Sequence, residues 1–128
     1  MSFSPLQVPT LKYQDVHLQI DTDRVSVNLD NAPLTLTRKE FQLLALLVRN
    51  AGQVVSREEL LWSVWSYSTD VKTRTLDVHI RRLRQKLELA DPRYIETVFG
   101  IGYRFQPSSS ESHDGHKGFR AHYAAAAV

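Results

Sequence analysis

Residues 72–87 combine a narrow apolar stripe with a dense positive charge. At about 100° per residue, four leucine and isoleucine positions fall within roughly 60° of one another on a helix: Leu76, Ile80, Leu83 and Leu87. The opposite face collects Arg74, Val78, Arg81, Arg82 and Gln85. From Lys72 to Lys86 there are six lysines and arginines against a single acid, Asp77. A helix that packs by one side and is arginine-rich on the other suits the major groove of DNA.

A second pattern follows directly along the chain. A segment rich in tyrosine, isoleucine, valine and phenylalanine is interrupted by Gly100-Ile101-Gly102, which predicts a β-hairpin over about 94–105. The basic segment predicts a helix over about 73–88. A basic helix followed by a hairpin is the arrangement of a winged helix-turn-helix, with the hairpin as the wing.

The preceding residues predict a small antiparallel sheet and two more helices, an α+β class overall. Alternating apolar positions favour strands over 16–20 and 24–29, with a turn at 31–33 and a short strand over 34–36. Both helices should begin at capping boxes, Thr37 to Glu40 and Ser56 to Glu59, and the first should stop near Gly52. Trp62 is expected in the core, whereas Trp65 suits the core and a ligand contact equally.

Composition restricts the function classes. The net charge of +2 does not by itself indicate nucleic acid, so that argument depends on the clustering of the basic residues. The absence of cysteine excludes disulfides and thiolate metal sites, and no phosphate loop, GxSxG or HExxH motif supports an enzyme. The histidines of the tail lack ligand partners at metal spacing, so neither a metal nor a cofactor is expected: His113, His116 and His122.

The organisation predicted from these patterns is one domain over 13–106. Residues 1–12 suit a linker or an appended start, and residues 107–128, rich in Ser, His, Gly and Ala, suit a disordered, appended or lineage-specific tail. No apolar run reaches the roughly 18 residues of a membrane helix, and the N-terminus does not resemble a signal peptide. The expectation is a soluble, cytoplasmic protein of bacterial type.

The motifs LTRKEFQLLALLVRNAGQVVSREELLWSVW, RTLDVHIRRLRQKLE and TVFGIGYRF together resemble the effector domain of OmpR/PhoB-type response regulators. The resemblance covers about residues 16–105. It implies a four-stranded N-terminal sheet, three helices, a C-terminal hairpin, and transcription regulation through sequence-specific binding to double-stranded DNA. It also implies head-to-tail dimers on direct repeats and a contact with RNA polymerase.

Roles for individual residues follow from the same resemblance. Base contacts are implied for Arg82, Val78, Thr75 and Asp77. Phosphate contacts are implied for Arg57, Trp65, Arg74, His79, Arg81, Arg84, Thr97 and Tyr103. The loop that would face polymerase comprises Ser66, Tyr67, Ser68, Thr69, Asp70, Val71 and Lys72. Two simpler interpretations stay open: Asp77 capping or pairing within its helix, and His79 serving as a packing residue.

One position departs from the family pattern. Many relatives carry an arginine before the first glycine of the hairpin, and that arginine enters the minor groove; this chain has Phe99. Phe99 could pack beneath the hairpin, stack on a sugar or contact a protein. A receiver domain would need roughly 110 to 120 further residues, so the chain is either the effector half of a longer regulator, which the starting linker favours, or a stand-alone protein.

Two competing classes of protein remain from the sequence. A winged helix could use its basic face as a protein-interaction module. A membrane-tethered activator of the same fold is disfavoured because the chain has no spanning segment.

Overall fold

The computed structural model describes residues 10–66, 73–88 and 93–108. Four short strands come first and form an antiparallel sheet in sequence order: β1 (Lys12–Gln14), β2 (Leu18–Asp21), β3 (Ser26–Leu29) and β4 (Ala32–Pro33). Next come α1 (Arg38–Arg49), β5 (Val54–Ser56), α2 (Arg57–Trp65) and α3 (Thr73–Leu87). The hairpin strands β6 (Ile95–Val98) and β7 (Gly102–Phe105) complete the order, and β7 lies between β5 and β6 in a second, three-stranded sheet. The predicted α+β winged-helix class is confirmed.

The N-terminal sheet follows the predicted alternation but differs at its ends. Register pairs Leu18 with Leu29 and Ile20 with Val27, and all four side chains are buried. The predicted strand over 34–36 is wrong, because the chain turns earlier. Asp30 and Asn31 adopt positive φ angles of 53° and 66°, which suits a two-residue hairpin turn, so the strand β4 occupies 32–33 instead.

The two capping signals mark the helix starts correctly. At α1 the box is complete: Thr37 Oγ1 accepts from Glu40 N at 3.2 Å, and Glu40 Oε1 accepts from Thr37 N at 2.9 Å. At α2 the serine half is present, with Ser56 Oγ accepting from Glu59 N at 3.0 Å. The helix α1 ends at Arg49, and Gly52 follows three residues later with φ +85°.

The prediction that Trp62 belongs to the core is wrong. Its exposed fraction is 60 %, while the buried side chains of α2 are Leu60, Leu61 and Val64. On a helix Trp62 lies about 160° from Val64, on the side away from the core. Its size and apolarity therefore did not decide its burial; its position in the helical period did.

The strand β5 was not predicted, and it makes the wing a three-stranded unit. Val55 pairs with Tyr103, and Ser56 pairs with Gly102. A Cβ atom on Gly102 would lie 2.0 Å from the carbonyl oxygen of Val55, so only glycine permits this approach. The second glycine of the wing is therefore required for the pairing of β7 with β5.

The carboxylate of Asp15 joins the N-terminal sheet to the base of the wing. Tyr94 Oη donates to both of its oxygens at 2.8 and 3.0 Å, and Tyr13 Oη donates to Oδ2. Burial, together with this carboxylate, raises the pKa of Tyr94 far above its usual range, so the phenol stays a donor. Ser108 N also donates to Asp15, at 3.2 Å. Among the described residues, buried side chains thus extend from Leu11, 2 % exposed, to Ser108, 8 % exposed.

Candidate nucleic-acid interface

The helix α3 presents the two faces that its sequence predicts. Its four apolar side chains are at most 1 % exposed and pack against the core: Leu76, Ile80, Leu83 and Leu87. The exposed positions are Arg74, Asp77, Val78, Arg81, Arg82 and Gln85. Because the apolar face anchors the helix along its length, the basic face has a fixed orientation relative to the domain.

Three arginines of this face are available to a ligand. In the part of the chain that the structure describes, Arg74, Arg81 and Arg82 are exposed and make no ion pair or side-chain hydrogen bond. An unengaged guanidinium keeps its planar set of donors for a base edge or a phosphate. The uncompensated positive charge of the interface therefore lies along one side of α3.

Three of the predicted contact residues, Arg57, Asp77 and Tyr103, bind one another. Arg57 Nη1 and Nη2 donate to the two oxygens of Asp77 at 2.8 and 3.0 Å, and Tyr103 Oη donates to Asp77 Oδ1 at 2.6 Å. The hydrogen bond from Arg57 lowers the pKa of Asp77, and the same bond raises the pKa of Arg57. We call these three residues the Asp77 cluster. It joins α2, α3 and β7, so Asp77 pairs across elements and not within its own helix.

Arg84 makes a second link between α3 and the wing. Its Nε and Nη2 donate to the carbonyl oxygen of Ile95 at 3.1 and 2.9 Å, and Nη2 also donates to Thr97 Oγ1 at 2.6 Å. The guanidinium carbon lies 5.6 Å from the centre of the Tyr103 ring. Arg84 and Thr97, both predicted to touch phosphate, therefore hold the wing beside α3.

The C-terminal half of α3 is tied to α1 by a buried ion pair. Lys86 Nζ donates to Glu40 Oε1 at 2.7 Å, and the carboxylate side chain is only 2 % exposed. Burial alone would raise the pKa of Glu40, but the hydrogen bonds from Lys86 and Thr37 outweigh it, so the pKa lies below its usual value. Lys86 thus contributes to helix packing and not to the exposed basic face.

Trp65 and His79 form a packed edge where α2 meets α3. Their rings meet edge to face with centres 5.0 Å apart, and His79 Nδ1 donates to the carbonyl oxygen of Thr75 at 2.8 Å. Lys39 Nζ lies 5.7 Å from the centre of the Trp65 ring and donates to the carbonyl oxygen of Val64 at 2.9 Å. Lys39 was not predicted as a site residue, because its place in the first capping box gives no indication of this contact.

The tip of the wing is apolar. Phe99 is 88 % exposed and Ile101 is 54 % exposed, so Phe99 does not pack beneath the hairpin. Gly100 between them has φ +80°, and Ile101 N donates to the carbonyl oxygen of Val98 at 2.9 Å to close the turn. Arg57 N donates to the carbonyl oxygen of Ile101 at 3.1 Å, which attaches the tip to the start of α2.

Most of the predicted polymerase loop, Tyr67 to Lys72, lies outside the described residues. Ser66, at the start of that loop, caps α2 in a left-handed conformation with φ 55°. Thr75 is half-buried and Val78 is 36 % exposed, both on or beside the basic face.

None of the three helices in the described part of the chain is long and apolar enough to span a membrane.

Comparison with known proteins gives a consistent family assignment. The family model described as transcriptional regulatory protein, C terminal, matches residues 31–105. The response regulator ArlR of Staphylococcus saprophyticus is 47 % identical over 85 residues, which cover 66 % of this chain and 39 % of ArlR. The transcriptional regulatory protein SrrA of Staphylococcus aureus is 41 % identical over 98 residues, 74 % of this chain and 41 % of SrrA. The chain thus spans about two fifths of the length of these curated relatives.

Solved structures agree with the sequence relatives. The DNA-binding domain of Klebsiella pneumoniae RstA, solved in complex with the RstA box, has a TM-score of 0.68 and 33 % identity, covering 76 % of this chain and 98 % of that one. The response regulator DrrB, a Thermotoga maritima OmpR/PhoB homologue, also has a TM-score of 0.68, with 39 % identity and coverage of 74 % and 44 %. The chain belongs to the family of transcriptional regulatory protein C-terminal domains and is an OmpR/PhoB-type DNA-binding effector domain with the winged-helix fold.

Proposed function

We propose that this domain binds specific sites on double-stranded DNA as the effector part of a two-component transcription regulator, with α3 in the major groove. The observation that carries the proposal is the helix itself. One face is fully buried in the core, and the other presents Arg74, Arg81 and Arg82 without a partner in the described residues. Free guanidinium groups on a rigid helix can reach base edges and phosphates without first breaking an internal bond.

The roles divide by the geometry of each side chain. Arg82 reads a base edge, most simply guanine through a bidentate contact, while Val78 and Thr75 offer methyl groups to thymine. Arg74 and Arg81 bind phosphates and supply most of the salt-dependent affinity.

The engaged residues act mainly by orientation. Asp77 holds Arg57 and Tyr103, and Arg84 holds Thr97, so the wing and α3 face the duplex as one rigid unit. Arg57 and Arg84 keep further N–H donors for phosphates near these residues, whereas the single proton of Tyr103 Oη is donated to Asp77. The packed rings of Trp65 and His79 lie against the DNA phosphates on the α2 side of the interface.

The assembly around this domain belongs to the same proposal. One winged helix covers only about 600–1,000 Å² of its own surface on DNA, which gives modest affinity, so we expect two copies head-to-tail on direct repeats about one helical turn apart. The chain spans about two fifths of its curated relatives, which are named as response regulators and transcriptional regulatory proteins. A receiver domain in the longer protein and a contact between the segment 66–72 and RNA polymerase are the further expectations.

The test is selection of bound sites from random duplexes at physiological salt, followed by titration of the selected site across salt concentrations. A defined motif, and affinity that falls steeply with salt, support specific DNA binding. Recovery of unselected sequences would favour the second candidate, a winged helix that uses its basic face for protein. Arg24→Ala is the control, because Arg24 is exposed in the turn between β2 and β3 and belongs to neither α3 nor the wing.

A further inference from the structure

The wing tip presents an exposed apolar surface among the described residues. Phe99, the most exposed large apolar side chain of the described residues, and Ile101 flank Gly100 at the end of the hairpin. Leaving a phenyl ring in water is unfavourable, and burying it against a partner recovers that free energy. The turn itself needs only the glycine, so the two apolar neighbours need a different explanation.

The tip lies beside the face proposed to meet DNA. Arg84 holds the strand β6 at Ile95 and Thr97, and the Tyr103 ring extends from there to Asp77. At the tip, the carbonyl oxygen of Ile101 accepts from N of Arg57, the first residue of α2. Through the side chain of Arg57 the tip is joined to Asp77, in the N-terminal half of α3, the part of a recognition helix that contacts base edges.

The wing brings no net charge to this position. From Ile95 to Phe105 its only charged residues are Glu96 and Arg104, and Arg104 Nε donates to Glu96 Oε1 at 2.9 Å. Gln106 Nε2 donates to the same oxygen at 2.8 Å. A wing that reads the minor groove electrostatically needs a free cation at its tip, and this one has a neutral stem and a phenyl ring.

We propose that Phe99, supported by Ile101, is an apolar wedge that inserts at a base step of the minor groove beside the site read by α3 and bends the duplex. The inference rests on the proposed function and adds the way in which the wing engages DNA. Phenylalanine and isoleucine are among the side chains that partly unstack base steps in bent complexes. Pyrimidine–purine steps kink most easily, so the wedge selects TA or CA/TG steps without any hydrogen bond to a base.

A second protein copy could cover the same apolar tip. The connection of the tip to α3 through the Asp77 cluster favours DNA, since the wing is held beside the helix whose arginine face is proposed to meet the duplex. The two partners differ in measurable ways: a wedge changes the shape of DNA bound by one copy, whereas a protein contact changes only the binding of the second copy.

The experiment measures affinity and DNA bending together on the selected site. End-labelled duplexes report the bend by energy transfer, and the full chain is compared with Phe99→Ala and Ile101→Ala. Val16→Ala is the matched control, because Val16 is 55 % exposed and lies between β1 and β2. Thermal unfolding verifies that each variant folds; exposure of 88 % predicts little effect of Phe99→Ala on stability.

The wedge predicts a specific combination of results. Phe99→Ala loses about tenfold in affinity, the scale of one aromatic–base stacking contact, and loses most of the bend. Its salt slope stays that of the unaltered chain, because no phosphate contact is removed. Replacing a flanking TA step by a stiff A-tract weakens the unaltered chain but leaves Phe99→Ala unchanged.

Other results would overturn the wedge. An unchanged bend in Phe99→Ala excludes it, and if the loss is confined to binding of the second copy, the tip is a protein contact. If the unaltered chain shows no preferred site at all, the proposed function fails and the wedge fails with it. Specific binding with a bend that does not depend on Phe99 overturns only the wedge.

Discussion

The exposed face of α3 and the tip of the wing lie side by side and have opposite chemistry. The helix face carries three unengaged arginines in the described chain, and the wing has a neutralised stem with a phenyl ring at its end. Charged contacts to DNA weaken as salt rises, whereas apolar contacts respond little to salt. The two surfaces can therefore be separated in one protein by measuring affinity as a function of ionic strength.

The residues between the two surfaces explain how they act together. The Asp77 cluster and Arg84 join α3 to the wing through hydrogen bonds of charged groups, which are stronger than neutral ones. A basic face and an apolar tip can thus be tuned independently while their relative orientation stays constant. The following predictions test that separation, beginning with the largest expected effect.

Gly102→Ala should disrupt the wing and leave α3 as the remaining surface. The new Cβ would lie 2.0 Å from the carbonyl oxygen of Val55, so β7 must separate from β5. We expect a loss of about 3 kcal/mol in the free energy of unfolding, from overpacking and lost strand pairing. Chemical denaturation measures the free energy of unfolding. Gly52→Ala is the control, because a Cβ atom there meets no atom within 4 Å and adds only the backbone strain of its φ of +85°. A Gly102→Ala domain as stable as the parent would contradict the close packing of β5 on β7.

Arg82→Ala should reduce the sequence specificity with which the α3 face binds DNA. Arg82 is exposed and unpaired in the described residues, so the variant should fold normally. Binding to the selected site should weaken by about 1–3 kcal/mol, and choice at one base pair should relax. Competition between selected and random duplexes measures the change. Equal losses on both kinds of duplex would show that Arg82 does not read a base.

Arg81→Ala should instead reduce binding to every sequence by a similar factor. As a phosphate contact it contributes one released counterion, so the slope of log affinity against log salt should fall by about 1. Titrations at several salt concentrations measure the slope. Phe99→Ala is the comparison, because it removes no charge and its salt slope should stay that of the parent. An unaltered slope would show that Arg81 stays in solvent and does not contact a phosphate of the duplex.

Asp77→Asn should have the smallest effect, and one that depends on pH. The hydrogen bond from Arg57 lowers the pKa of Asp77 in the folded domain, so this carboxylate stabilises the fold above its unfolded pKa of about 3.9. The contribution disappears as pH falls through the lower folded pKa. The pair is partly exposed, so we expect a difference of less than about 1 kcal/mol at pH 7.

The measurement for this variant is the difference in thermal midpoint between Asp77→Asn and the parent from pH 7 to pH 2. The difference should shrink below about pH 4. Other carboxylates titrate in both proteins and cancel. A difference that grows towards acid pH would mean that Asp77 is not held as a carboxylate by Arg57.

Local patterns were sufficient to predict the helices and the division of α3 into two faces. The period of Leu76, Ile80, Leu83 and Leu87 specifies which side of the helix is buried, because burial on a helix repeats with its turn. The first capping box also depends on contacts within four residues. By contrast, β4 was misplaced and β1 was missed, because strands of two or three residues show no clear alternation. The strand β5 was missed because it is equally short and its partner β7 lies far along the chain.

The candidate site divides in the same way. The sequence by itself determined which side chains α3 exposes, including Arg74, Arg81 and Arg82, and that the wing carries Phe99 directly before its first glycine. It could not separate residues free to meet DNA from residues engaged with one another. Only the tertiary structure decided that Asp77 binds Arg57 and Tyr103, 20 and 26 residues away. Contacts at that separation depend on how α2, α3 and β7 pack, and no local period encodes that packing.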